Sequence, residues 1–148
     1  MPNICLKVSE GMSVICPSKD VSPDEVAMCE KIFSCSGQTS VVKEELINAC
    51  TAINGSGPAY VFMFMEAMAD AAVKQGIDRQ TAYKLCSQTV LGSAAMMLET
   101  GLHPAVLKDM VCSPGGTTIE AVQALEDAGL RSAVMAAVEA CAQKANKF

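Results

Sequence analysis

The chain has 148 residues, is 51% hydrophobic and 18% charged, and carries a net charge of −5, which is enough apolar material for one folded domain with a substantial core and too much for disorder. Its 11 Lys and Arg residues are scattered and only 4% of its residues are aromatic, so a basic, base-stacking nucleic-acid surface is excluded. Eight cysteines without a CxxC pair and one histidine, His103, suggest no metal set, and with no signal peptide in view they predict reduced thiols in a cytoplasmic protein.

In chain order, the runs MSVIC (12 to 16) and TSVV (39 to 42) are β-branched and read as short strands. Between them Ser22 is placed to cap a helix, with Pro23 in its first position, Glu25 closing a capping box and Gly37 after its end. Together they make a β-α-β fragment, too small to cover both faces of a sheet. After about residue 44 the strand signals stop. The predicted fold class is therefore mainly α, with residues 1–43 a small α/β piece and residues 44–148 an all-helical domain.

Within the helical part, NGSGPAY (54 to 60) lacks the third glycine and the preceding strand of a dinucleotide loop. It reads as a break between two helices, with Pro58 opening the second. The following AYVFMFMEAMADAAV (59 to 73) is apolar almost all round, interrupted only by Glu66 and Asp70. That run is too short and too charged for a membrane span. A helix apolar on every face needs cover on every face, which predicts a second chain. Met63, Met65, Met68, Met96 and Met97 suit either core or interface. Gly76, Gly101 and Gly129 mark helix ends, Asp78 is a candidate N-cap, and Thr117 with Glu120 has the spacing of a second capping box.

The stretch VCSPGGTTIEAVQALE (111 to 126) places a proline, two glycines and two threonines before an amphipathic run. It is open to two interpretations. Gly115 and Gly116 can take positive φ and open free amides at a helix N-terminus to an anion, or the segment is a tight turn between helices.

The segments MPN (1 to 3), EGM (10 to 12), NGSGPAYVF (54 to 62) and PAVLKDMVCSPGGTTIEAVQALE (104 to 126) closely resemble, in order, the pyrroline-5-carboxylate reductase family. The resemblance implies an N-terminal Rossmann domain that binds NADP or NAD, and a C-terminal helical domain that forms an intertwined homodimer or higher oligomer. The small β-α-β piece would then be a remnant of the Rossmann domain. It further implies that Val111, Ser113, Gly115, Gly116, Thr117 and Thr118 bind 1-pyrroline-5-carboxylate or L-proline. In that scheme the amides of Gly116, Thr117 and Thr118 hold the carboxylate, and the Thr118 hydroxyl is catalytic at the ring nitrogen. Met1 and Asn3 carry over as cofactor neighbours. Two departures accompany it. The family's glycine-rich fingerprint has no counterpart here, so no cofactor is expected to bind this chain alone, and Ile4 and Cys5 stand where the family continues with Thr-Pro. The alternative is a non-catalytic helical oligomerisation or ligand-binding module; a thiol redox sensor is weaker, since no low-pKa cysteine arrangement is legible. Neither nucleic acid nor membrane is an expected partner.

Overall fold

The structure is a computed structural model that describes residues 1–147. The chain divides into two compact units, one formed by residues 1–61 with the C-terminal run from Val134, the other by Phe62–Ala133.

In the first unit, a 3-10 turn over Ile4–Val8 leads into strand β1 (Gly11–Ile15), helix α1 (Pro23–Ser34) and strand β2 (Gly37–Val41). The strands pair in parallel, Gly11 opposite Gly37 through Ile15 opposite Val41, and α1 packs against them as the crossover. The parallel arrangement requires such a crossover. Helix α1 starts where the sequence places it: Ser22 Oγ accepts from the Glu25 amide at 3.3 Å and a Glu25 carboxylate oxygen accepts from the Ser22 amide at 2.8 Å. The strand bounds differ from the expected 12 to 16 and 39 to 42. Gly37 does not merely follow the helix, which ends at Ser34 with Cys35 as its C-cap; it opens β2 at φ +137°. A Cβ at Gly37 would collide with the Gly11 backbone, so the two glycines let the strands begin in close contact.

Beyond the sheet come a short helix α2 (Ile47–Cys50), a π turn over Thr51–Gly55 and helix α3 (Gly57–Lys74). The chain therefore breaks at NGSG as expected, with Pro58 in the first turn of α3. Four further helices follow: α4 (Arg79–Thr100), α5 (Pro104–Val111), α6 (Thr117–Asp127) and α7 (Leu130–Ala145). No strand follows β2 among the described residues. Gly76, Gly101 and Gly129 sit past helix ends at positive φ, and the Asp78 side chain caps α4 by accepting from the Thr81 amide at 3.0 Å.

The core of the second unit is built on small residues. Ala69 of α3 and Ala82 of α4 are both 0% exposed and, with Cys86, bring the two helices together. Met68, Ala72, Val73 and Ile77 pack around them. Four consecutive residues of α3 are left uncovered: Val61, Phe62, Met63 and Phe64 are 42%, 57%, 69% and 41% exposed. Among the described residues no helix is long and apolar enough to cross a membrane.

Candidate functional site

The loop between α5 and α6 is shaped from both sides. His103 caps α5, its Nδ1 accepting from the Ala105 amide at 3.2 Å, and Pro104 supplies the preset φ of the first position. The helix ends at Val111, and Cys112 leaves it in an extended conformation, φ −95° and ψ 93°. Ser113 and Pro114 then turn the chain, Gly115 takes φ +66°, and Gly116 returns to an extended φ −82° and ψ 169° as the N-cap of α6.

This geometry corrects two expectations. Only Gly115 uses positive φ; Gly116 does not. Gly116 is needed for space, because a Cβ there would collide with Ser113 Oγ. Thr117 is the first residue of α6 rather than its cap, and the box with Glu120 does not form. The extended Gly116 has already taken the cap position, so the Thr117 side chain lies a residue too late to turn back on the helix amides.

The amides of the loop are consequently unequal. The Gly116 amide donates to the Ser113 carbonyl at 3.0 Å, so it is engaged within the turn. The amides of Thr117 and Thr118 have no acceptor among the described residues. They point from the positive end of an eleven-residue helix, where a carboxylate is stabilised by both the donors and the dipole. Thr118 is half-buried while Val111, Ser113, Gly115 and Thr117 are exposed, and its hydroxyl has no hydrogen-bond partner among the described residues. Nearby, Lys108 is held above its usual pKa, first by its hydrogen bond to Asp109.

Met1 and Asn3 lie in the first unit and form a second constellation. Asn3 Oδ1 accepts from the amides of Cys5 at 3.2 Å and Met12 at 3.3 Å, and Asn3 Nδ2 donates to the Asn54 carbonyl at 3.2 Å. The Asn3 side chain is thus occupied by its own fold. Asn54, which in the sequence is only one residue of a turn, returns the contact: its Nδ2 donates to the Met1 carbonyl at 3.0 Å. Its burial in the middle of a glycine-rich turn is a signal that composition alone does not carry.

A third grouping joins the start of α3 to α7. Cys141 Sγ lies 3.2 Å from Ser56 Oγ, and hydrogen bonds from Ser56 and then Tyr60 pull the thiol below its ordinary range, while the Cys141 contact pushes Tyr60 up. All eight cysteines are free. No cluster of three metal-ligating side chains occurs among the described residues.

Residues 44–148 match the family described as pyrroline-5-carboxylate reductase dimerisation. The chain belongs to the pyrroline-5-carboxylate reductase family. Pyrroline-5-carboxylate reductases from Escherichia coli and Methanosarcina acetivorans are 52% and 49% identical to it over all 148 residues, and in each case the chain covers 55% of the relative. A solved pyrroline-5-carboxylate reductase structure from Coxiella burnetii superposes with a TM-score of 0.96 at 38% identity, over 99% of this chain and 55% of that one. The Plasmodium falciparum pyrroline carboxylate reductase, solved with NADP bound, gives a TM-score of 0.89 at 37% identity, over 98% of this chain and 59% of that one. The chain therefore spans about half the length of the pyrroline-5-carboxylate reductases it matches.

Proposed function

We propose that this chain acts as the C-terminal part of a pyrroline-5-carboxylate reductase, an enzyme that reduces 1-pyrroline-5-carboxylate to L-proline with NADPH or NADH. Residues 44–148 serve as the dimerisation and substrate-binding domain, and residues 1–43 as the end of the nucleotide-binding domain. The observation that carries this reading is the pair of unpartnered amides at Thr117 and Thr118, at the head of α6 in a chain of this family. They receive the substrate carboxylate, and Ser113 and Gly116 shape its approach. A carboxylate anchored there places the ring nitrogen within reach of the Thr118 hydroxyl, which holds a proton at that nitrogen. Protonation makes the imine carbon more electrophilic, so a hydroxyl at this place has a chemical task.

The cofactor, when bound, supplies the hydride for the imine carbon. Among the described residues no glycine-rich strand-turn-helix receives its pyrophosphate. The Met1–Asn3 segment fits the role of cofactor neighbour that the resemblance implies, because Asn54 holds the Met1 carbonyl and the Asn3 side chain is tied to the amides of Cys5 and Met12. The exposed apolar residues Val61 to Phe64, which go round α3 and leave it without cover, support a homodimer.

Titration of the chain with L-proline, followed by amide NMR, tests the loop. The largest shifts are expected at Thr117 and Thr118, with the already bonded Gly116 amide moving less. Gly116→Val should weaken binding, since a branched side chain there meets both Ser113 Oγ and the Ser113 carbonyl. In the full-length protein Thr118→Val should slow turnover about a hundredfold or more while sparing carboxylate binding. Proline that binds while the Thr117 and Thr118 amides stay unmoved would overturn the assignment.

A further inference from the structure

Asn54 is a polar side chain only 7% exposed, set in the π turn ahead of α3. Short π segments recur at functional positions because they displace one residue from the helical ladder. A turn asparagine ordinarily bonds its own backbone a few residues on. Asn54 instead crosses to the other end of the first unit, where its Nδ2 donates to the Met1 carbonyl at 3.0 Å. That carbonyl also accepts from the β1 amide of Val14 at 2.9 Å, so Asn54 supplies the second of two donors converging on one oxygen. Asn3 completes the exchange by donating to the Asn54 carbonyl at 3.2 Å. Each asparagine thus donates to backbone on the other segment. The Thr51 hydroxyl, one turn earlier, adds a contact to Met1 Sδ at 3.1 Å.

The chemistry restricts which residue can do this. A carboxylate at position 54 has the same shape but only acceptors, and would face the Met1 carbonyl with no hydrogen to offer. A leucine would fill the space and leave that carbonyl with one donor fewer. We propose that Asn54 is a positioning residue: it clasps the Met1–Asn3 segment to the turn that enters α3, and thereby sets how that segment meets the cofactor. The inference rests on the proposed reductase function for its kinetic consequence, but the clasp itself does not.

The test uses the full-length protein with Asn54→Asp and two measurements. Steady-state kinetics should show the KM for NAD(P)H raised about tenfold, the loss of one buried hydrogen bond, with the KM for the imine unchanged. Hydrogen exchange should show the amides of Cys5, Met12 and Val14 less protected while those of α6 are unaffected. Equal changes in both KM values, or an unchanged cofactor KM in a folded variant, would overturn the positioning role. Should Asn54→Asp not fold, Asn54→Gln, which keeps the donor on a longer arm, is read in the same way and should give a smaller rise in cofactor KM. If the wild-type protein does not reduce the imine, the functional reading falls, and the exchange result alone decides whether Asn54 holds the segment. Unchanged protection at those three amides would then sink the clasp.

Discussion

At the scale of single residues, the side chains with chemical consequence are those whose polar atoms the fold leaves unanswered or brings together. Thr118 belongs to the first kind. Cys141 belongs to the second, because hydroxyls from Ser56 and Tyr60 donate to its thiolate and favour the charged form. Lowering of a thiol pKa means more thiolate at a given pH, and the thiolate is the nucleophile. The pH profile of iodoacetamide alkylation at Cys141, followed by mass spectrometry, should therefore have its midpoint below that of an unperturbed thiol. Ser56→Ala should move the Cys141 midpoint back up, since Ser56 is the first cause of the shift. A Cys141 profile that Ser56→Ala leaves unmoved would refute this.

At the scale of elements, local chemistry decides where helices begin. The box at the head of α1 satisfies two amides reciprocally, and loss of its hydroxyl half in Ser22→Ala should cost about 1 kcal/mol, seen as a lower urea midpoint with an unchanged slope. The same box fixes a sign of pH dependence. The Ser22 amide, and then its hydroxyl, hold the Glu25 carboxyl below its usual value. A depressed carboxylate contributes stability that is present above its unfolded pKa of about 4.3 and is lost as pH falls through the folded value. Wild type should therefore lose part of its advantage over Ser22→Ala in acid, the share carried by the Ser22 hydroxyl at the Glu25 carboxylate, while the share from Ser22 Oγ accepting the Glu25 amide remains. A difference that grows in acid would show that Glu25 is not the partner.

At the scale of the whole molecule, the chain buries few apolar side chains for its composition. Val14, Ala52, Ala69, Ala82 and Cys86 are the buried apolar residues among those described, and none is large, whereas Phe62 and Met63 remain mostly exposed. A run of exposed large apolar groups on one helix marks a surface made to be covered. Met63→Arg separates the possibilities. On a monomer, an Arg at a position 69% exposed would be nearly neutral. In a dimer that covers Met63 it would bury an unpaired charge and cost several kcal/mol, so the variant should fail to fold rather than yield stable monomers. Sedimentation and circular dichroism distinguish these outcomes, and a folded, stable Met63→Arg monomer would refute the dimer through α3.

What the sequence determined by itself was everything that depends on neighbours within a few positions. The Ser22, Pro23 and Glu25 start of α1, the Asp78 cap of α4, the break at NGSG and the glycine-terminated helices follow from backbone donors and side chains three or four residues apart, and they appear as read. The apolar circumference of α3 was equally legible, because a missing polar face is a property of composition. Only the tertiary structure decided the rest. Thr117 has the spacing of a cap, but the extended backbone of Gly116 took that place, a choice made by the turn at Ser113 to Gly115 and not by Thr117. Gly37 looked like a helix stop and became the first strand residue because it meets Gly11, its partner in register on β1. The Asn3 and Asn54 exchange spans 51 residues, and no local spacing encodes it. Its partners are backbone carbonyls, which every residue carries, so the sequence holds no mark of which one a distant asparagine will reach until the strand and the π turn bring them together.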